Sequence, residues 1–438
     1  MNPSLDEVVK RSLRRLIPFL LLMYVLSFLD RTNIGFAKQN FQLDTGLSDA
    51  AYALGAGLFF VGYAVLEIPS NLIMQRVGAR LWLARIMITW GLISAAMMFA
   101  HTEAVFYALR FALGVAEAGF FPGVILYLTY WIPARHRGRA NGLLYFGAPL
   151  AFIFGGPLSG LLLEFDGAAG LHGWQWMFLV EGLLATVVGV WALWYLEDRP
   201  DTSRRLTAAE REVLVAAMAE DERARAAHSP GTVLRALRHP RVLYLSVIYF
   251  CIQVSVYGVT FYLPTQVAGL VGEDVGLTVG LITAIPWTCA LIASFLVGRL
   301  SDVTGARRTI AAVTLAVGGL GIAASAAAGQ PGLGLTALCF AAAGFIAVQP
   351  VFWTLPMGLL AGSAAAGGLA LVNSLGSLGG FVAPNVKTWA DAAFGGSTAG
   401  LYLLAVVTLA GAVMIAFLGG LRGRVPAETM QTIPKGTS

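Results

Sequence analysis

The sequence predicts an all-α integral membrane protein of twelve transmembrane helices, arranged as two six-helix halves around a central cavity. Three observations carry that prediction. Of the 438 residues, 57% are hydrophobic and only 12% are charged, too few polar groups to cover a soluble fold of this size. Apolar runs of about 20 residues, enough to cross a bilayer core roughly 30 Å thick, recur from near residue 17 to near residue 420. One long polar interruption divides them six and six, and a short loop sequence is repeated on either side of it.

In the first half the runs cover roughly residues 17–37, 51–74, 81–100, 104–131, 140–163 and 174–196. The first run holds Asp30 and Arg31 within "YVLSFLDRTNIGFA" and has no small-residue cleavage site, so it is a retained helix rather than a secretory signal. The interruption that follows, "LEDRPDTSRRLTAAEREVLVAAMAEDERARAAHSPGTVLRALRHP", is a cytoplasmic linker. Within it Thr207 to Glu210, "TAAE", is a capping box opening a short amphipathic helix suited to the membrane surface. The second-half runs cover roughly residues 242–268, 276–299, 309–328, 332–357, 364–387 and 396–420. The chain thus divides into an N-terminal half (1–197), a linker (198–240), a C-terminal half (241–420) and a cytoplasmic tail (421–438).

Basic residues in short loops stay on the cytoplasmic side. Lys10, Arg11, Arg14 and Arg15, then Arg76 and Arg80, the "RHRGR" arginines 135, 137 and 139, Arg307 and Arg308, and Arg422 and Arg424 all fall on one side of a twelve-span chain. The opposite loops carry mainly Asp44, Asp49, Glu103, Asp166, Glu273 and Asp274, with Lys38 and Lys387 as exceptions. Both termini are therefore expected in the cytoplasm, and the protein in the inner (plasma) membrane. The net charge of +5 answers to topology and anionic lipid headgroups, so no nucleic-acid partner is implied.

The repeated loop is "MQRVGAR" after the second run and "SDVTGAR" after the eighth, offset by 227 positions at both the glycines (Gly78, Gly305) and the arginines (Arg80, Arg307). Two duplicated six-helix halves are the pattern of a transporter that rocks around a central site. The longer second-half form, "GRLSDVTGARR", with Asp302, Gly305 and Arg307 in register, resembles the loop motif of the major facilitator superfamily. The first-half copy departs from it, with Gln75 in place of the aspartate. Further, "LDRTNIGFA", "GYAVLEIPSNL", "LRFALGVAEAGFFPGVILYLTYWIP" and "GWQWMFLVEG" resemble the anion:cation symporter family of that superfamily, most closely its bacterial tartrate-transporter branch. The similarity is dense over most of residues 14–200 and looser beyond. It implies transport of a small organic anion, such as tartrate, a sugar acid or an aromatic acid, in most members coupled to protons.

The buried charges support that chemistry on their own. A charge in the bilayer interior is costly unless it faces a cavity or a partner. Asp30 and Arg31 sit in the first run, Arg110 and Glu117 in the fourth. Helix neighbours point about 100° apart, so Asp30 and Arg31 need separate partners; Arg110 and Glu117, seven residues apart, share a face about 10 Å apart along the axis. The first and fourth helices line the cavity in the superfamily, which brings all four charges towards it. Arg31 and Arg110 offer a carboxylate substrate bidentate hydrogen bonds. Asp30 and Glu117 are the titratable groups suited to proton coupling, since burial favours the protonated carboxyl and a nearby arginine the ionised one. The competing reading is that these groups form permanent bridges between helices.

Tyr63, Trp353 and Asn373 align with substrate-contacting positions of the family's galactonate-transporting members. Gln349 and Gln253 lie one turn before Trp353 and Tyr257 and complete the candidate pocket; interface anchoring and helix-to-helix bonding are the ordinary alternatives for such residues. Glu67, beside Pro69, reads as a gating or packing residue together with the loop motif, and Glu181 as a structural residue at a helix start. Three cysteines (Cys251, Cys289, Cys339) lie singly in apolar runs without metal spacing, and the five histidines fall in loops or linker. No enzyme motif, metal site or resident cofactor is expected beyond the coupling proton, and the carrier is expected to be a monomer. Two rival readings are a proton-coupled drug antiporter, suggested by "GGPLSG" despite Phe152 where that motif has glycine, and an uncoupled anion exchanger.

Overall fold

The structure is a computed structural model describing residues 3–226, 240–359 and 363–418. The expected tail 421–438, with Arg422 and Arg424, and linker positions 227–239, with His228 and His239, lie outside the described residues. Among the described residues, eleven segments are long and apolar enough to cross a membrane. A pair of shorter helices, Ser363–Ser377 and Gly379–Phe394, stacked end to end around Leu378, supplies the twelfth crossing.

The first half comprises α1 (Leu5–Thr45), α2 (Asp49–Val77), α3 (Ala79–Ala96), α4 (Glu103–Glu117), α5 (Phe120–Trp131), α6 (Ala134–Tyr145), α7 (Gly147–Leu163) and α8 (Gly173–Tyr195). The linker holds α9 (Ala208–Ala226). The second half comprises α10 (Pro240–Thr260), α11 (Leu263–Val271), α12 (Leu277–Thr304), α13 (Arg307–Ala327), α14 (Pro331–Leu359), α15 (Ser363–Ser377), α16 (Gly379–Phe394) and α17 (Ala399–Phe417).

Several expected spans are broken, and proline explains three of the breaks. A proline ring clashes with the carbonyl four residues earlier and cannot donate to it. Pro122, Pro149 and Pro264 stand four residues after Ala118, the C-cap of α4, and after Tyr145 and Thr260, the last residues of α6 and α10. Each proline then lies in the first turn of the next segment, where its missing N–H costs nothing. Gly119 makes the first of these breaks sharp with a positive φ of 82°. At its other end, α1 extends well beyond the expected first run because Ser4 and Glu7 form a capping box in the polar segment before it.

Among the described residues the halves touch where α1 meets α11, where α2 meets α15 and α16, and where α7 meets α12. Glycine permits the closest of these. A Cβ on Gly156 of α7 would stand 2.7 Å from the Gly280 carbonyl oxygen of α12, closer than atoms approach without a backbone shift. The seams lie towards the face opposite the chain ends. On that face Lys38 pairs with Asp49 and Lys387 with Asp391, and both ammonium groups stand over the Tyr262 ring, at 5.8 and 4.1 Å. The two lysines that break the charge rule are thus each neutralised by an aspartate.

The basic loops gather at the other face with the N-terminus and the linker. Arg11 pairs with Glu210, Arg15 with Glu197 at 3.2 Å, Arg135 with Asp6 at 2.6 Å, and Arg137 with Asp221 at 3.0 Å. Thr207 and Glu210 make the reciprocal bonds of a capping box at the start of α9. In the first-half loop, where Gln75 replaces the acidic residue, Asp198 accepts the Arg80 backbone N–H at 2.8 Å and faces its guanidinium at 3.9 Å. His136, expected in a loop, lies in α6.

Candidate functional site

Helix geometry sorts the polar residues of α1 between two faces. Ser27 and Arg31, four apart, share one; Asp30 and Asn33, three apart, share another. From the first face Arg31 donates through Nε at 2.8 Å and Nη2 at 2.5 Å to Oε1 of Glu117, and Ser27 donates to the same oxygen at 2.7 Å. Glu117 is the last residue of α4, immediately before the proline break. Nη1 of Arg31 reaches Tyr257 of α10 at 3.3 Å, across the boundary between the halves. The guanidinium also lies 5.0 Å from the ring centres of Phe28 and Tyr63 and 5.4 Å from that of Phe59, a setting that favours a weakly hydrated cation.

Arg31 stands in the wall of a cavity of about 540 Å³ between the two halves. Tyr24, Phe28, Phe59, Phe60 and Tyr63 line it from the first half; Tyr249, Gln253, Tyr257, Gln349, Trp353 and Asn373 line it from the second. The cavity runs towards the basic face, where Leu143, Ser294, Arg299 and Asp302 form its mouth. Asp302 is exposed there, while Gly305, with φ of 67°, and the exposed Arg307 continue the loop beyond it. Beside the cavity Glu67 accepts hydrogen bonds from Asn373 at 2.6 Å and Ser374 at 2.9 Å, tying α2 to α15.

Of the four charges expected to converge, Arg31 alone lines the cavity, with Glu117 directly behind it. Arg110 is buried between α2 and α4, where Nε and Nη2 donate to the carbonyls of Gly55 and Ala56 at 3.4 and 3.3 Å. In this conformation it does not reach the cavity. Asp30 faces away, accepting from Ser94 of α3 and from Asn33 at 3.3 Å. Neither Asp30 nor Arg110 makes an ion pair among the described residues.

Sequence reading missed Tyr24, Phe28, Tyr145 and Tyr249 of the lining. Tyr249 was within reach, because Tyr249, Gln253 and Tyr257 form one stripe at four-residue spacing. Tyr145 comes into place only through the break before Phe146. Among the described residues no group of three or more His, Cys, Asp or Glu side chains could hold a metal ion.

Two helical halves around a largely aromatic cavity with a buried arginine in its wall, sealed at one face and open towards the other, have the architecture of an alternating-access carrier. The sequence model of the Major Facilitator Superfamily matches residues 20–384. The chain belongs to the major facilitator superfamily. It is a multi-pass membrane transporter and not an enzyme. It is 51% identical to the inner membrane transport protein RhmT of Escherichia coli (strain K12), over 94% of this chain and 95% of that one. It is 43% identical to a putative tartrate transporter of Agrobacterium vitis, over 94% and 91%. It is 39% identical to a quinolone resistance transporter of Acinetobacter baumannii, over 93% and 94%. Among solved structures, a bacterial homologue of the human lysosomal transporter Spinster shares the fold, with a TM-score of 0.72 at 17% identity over 92% of this chain and 94% of that one. These relatives support transport of a small organic molecule.

Proposed function

We propose that this superfamily member is a proton-coupled symporter importing a small organic anion, a tartrate-like dicarboxylate, sugar acid or other carboxylate, across the inner membrane. The observation that carries this reading is Arg31, the one charged side chain lining the cavity away from its mouth, held from behind by Glu117. A substrate carboxylate entering the cavity competes with Glu117 for the guanidinium. Glu117 then loses its counter-ion in a site with no water-facing surface, and burial drives it to accept a proton. Substrate and proton load together. Gln253, Gln349 and Asn373 supply hydrogen-bond partners for hydroxyls or a second carboxylate, and the aromatic lining gives the pocket its shape. Both chain ends are assigned to the cytoplasm, which makes the open mouth the cytoplasmic one. The relative named for quinolone resistance favours a drug antiporter as second reading; a cationic drug gains nothing from a cavity arginine.

The test is uptake of labelled L-tartrate into proteoliposomes, with small carboxylates as competitors, at inward and at zero proton gradient. Gradient-driven accumulation in wild type, lost in Glu117→Gln while downhill exchange persists, supports symport. Uptake indifferent to the gradient identifies an exchanger, and no competition by any carboxylate sinks the anion reading.

A further inference from the structure

Apart from Glu67, which is tied to Asn373 and Ser374 of α15, five acidic or basic side chains lie buried in the interior of the first half: Asp30, Arg31, Arg110, Glu117 and Glu181. Two are arginines and three are carboxyls. Were all three carboxyls ionised, this part of the bilayer interior would carry an uncompensated negative charge, which is costly there. Arg31 is taken by Glu117, so Arg110 remains as the one cation within electrostatic reach of Asp30. Glu181 of α8, 1% exposed, is left over.

The local hydrogen bonding points the same way. Glu181 Oε1 accepts from Ser159 of α7 at 2.8 Å, while Asp30 Oδ1 accepts from Ser94 and from the Asn33 amide. Asp30 Oδ2, Asn33 Oδ1 and Glu181 Oε2 are buried with no partner. All three are acceptors, for which a hydrogen carried on a carboxyl is a matching donor, while the unpartnered donor among these buried charges is Nη1 of Arg110. Asp30 and Glu181 interact electrostatically, and the Asn33 amide stands between them. The neighbouring elements contribute Arg110 and Glu117 from α4, Ser94 from α3 and Ser159 from α7. Arg31, next to Asp30 in sequence, points to the cavity.

We propose that Asp30 and Glu181, linked through Asn33, form one buried proton-binding pair that holds a proton inside the first half, separate from the Arg31–Glu117 pair on the cavity wall. Glu181 is thereby a proton-coupling residue. When substrate displaces Glu117 from Arg31 and Glu117 takes a proton, the charge balance seen by Asp30 changes, and the pair is positioned to exchange its proton in the same step. This extends the symport reading above and rests on it for its role in transport, but not for the existence of the site.

The experiment reads the site directly. Purified protein in lipid nanodiscs is titrated while the carboxyl C=O absorption is followed by infrared difference spectroscopy. Wild type is expected to show a protonated-carboxyl band at neutral pH that is lost in Glu181→Gln and shifted in midpoint in Asp30→Asn. Ser159→Ala, which removes only the donor to Glu181, is expected to shift the same band and serves if Glu181→Gln does not fold. A band unchanged in these variants overturns Glu181 as the proton holder. A band lost in Glu181→Gln but with an unaltered midpoint in Asp30→Asn overturns the pairing, and displacement of the band by sodium at constant pH makes the ligand a metal cation instead. In proteoliposomes, Glu181→Gln is expected to lose gradient-driven tartrate accumulation. If wild type shows none, the symport reading fails while the infrared result still decides the site.

Discussion

Under the symport proposal Arg31 meets two opposed demands, for it needs a counter-ion to exist in the bilayer interior and spare donors to take a substrate. Its contacts divide accordingly. Both bonds to Glu117 use Nε and Nη2, whereas Nη1 holds only the 3.3 Å bond to Tyr257. Nη1 is the edge offered to the cavity. Arg31→Lys keeps the charge and loses the planar fork, so apparent affinity for a transported carboxylate is expected to fall about 10- to 100-fold, equivalent to roughly 1.5–3 kcal/mol. Competition uptake measures this, and a lysine variant equal to wild type would show that charge alone suffices. The adjacency of Asp30 and Arg31 told that the two must diverge. It did not tell which oxygen each would meet, because that depends on how α1, α3, α4 and α8 approach one another.

The elements carry both the breaks that shape the cavity and the seams that close it. Pro122, Pro149 and Pro264 were visible in the sequence, yet the expected spans ran through all three positions. Pro18, Pro69 and Pro286 lie inside unbroken helices, so a proline marks a break only where the chain on both sides finds other packing. Gly156 offers the test at this scale. Gly156→Val places methyl groups against the Gly280 carbonyl of α12, and overpacking of this kind typically costs about 1–3 kcal/mol in the conformation that contains the contact. The expected outcome is a shift towards the conformation open on the opposite face. In a cysteine-free background, Ser294→Cys at the cavity mouth should then react more slowly with an impermeant maleimide applied from the basic face. Equal reactivity would mean that the α7–α12 seam does not hold the sealed conformation.

At the scale of the whole molecule, the linker is fastened to the half that precedes it. Thr207's backbone N–H, with Arg11, holds the Glu210 carboxyl below its ordinary range. Burial opposes ionisation of Glu197, but bonds from Ser203, the Arg204 amide and Arg15 outweigh it and hold that group low as well. Groups depressed on folding stabilise the fastened state above the unfolded carboxylate value and release it as pH falls through the folded one. A spin label at Val215→Cys on α9 is therefore expected to be immobile at neutral pH and to loosen as pH drops below about 4. In Glu210→Gln it should be looser already at neutral pH. Mobility independent of both pH and Glu210 would show that α9 is held by packing alone.

Composition and hydropathy suffice to establish a membrane protein of two six-helix halves, because every crossing must satisfy the same bilayer thickness independently of its neighbours. Charge sidedness is similarly local, and Lys38 and Lys387 stood out against it before their aspartates were known. The pairing of the buried charges is a different kind of information. Arg110 resting on carbonyls of α2, Glu117 behind Arg31, and Asp30 held by Ser94 of α3 each depend on ångström-scale approaches between helices distant in sequence, which no local periodicity records. Only the tertiary structure decided them.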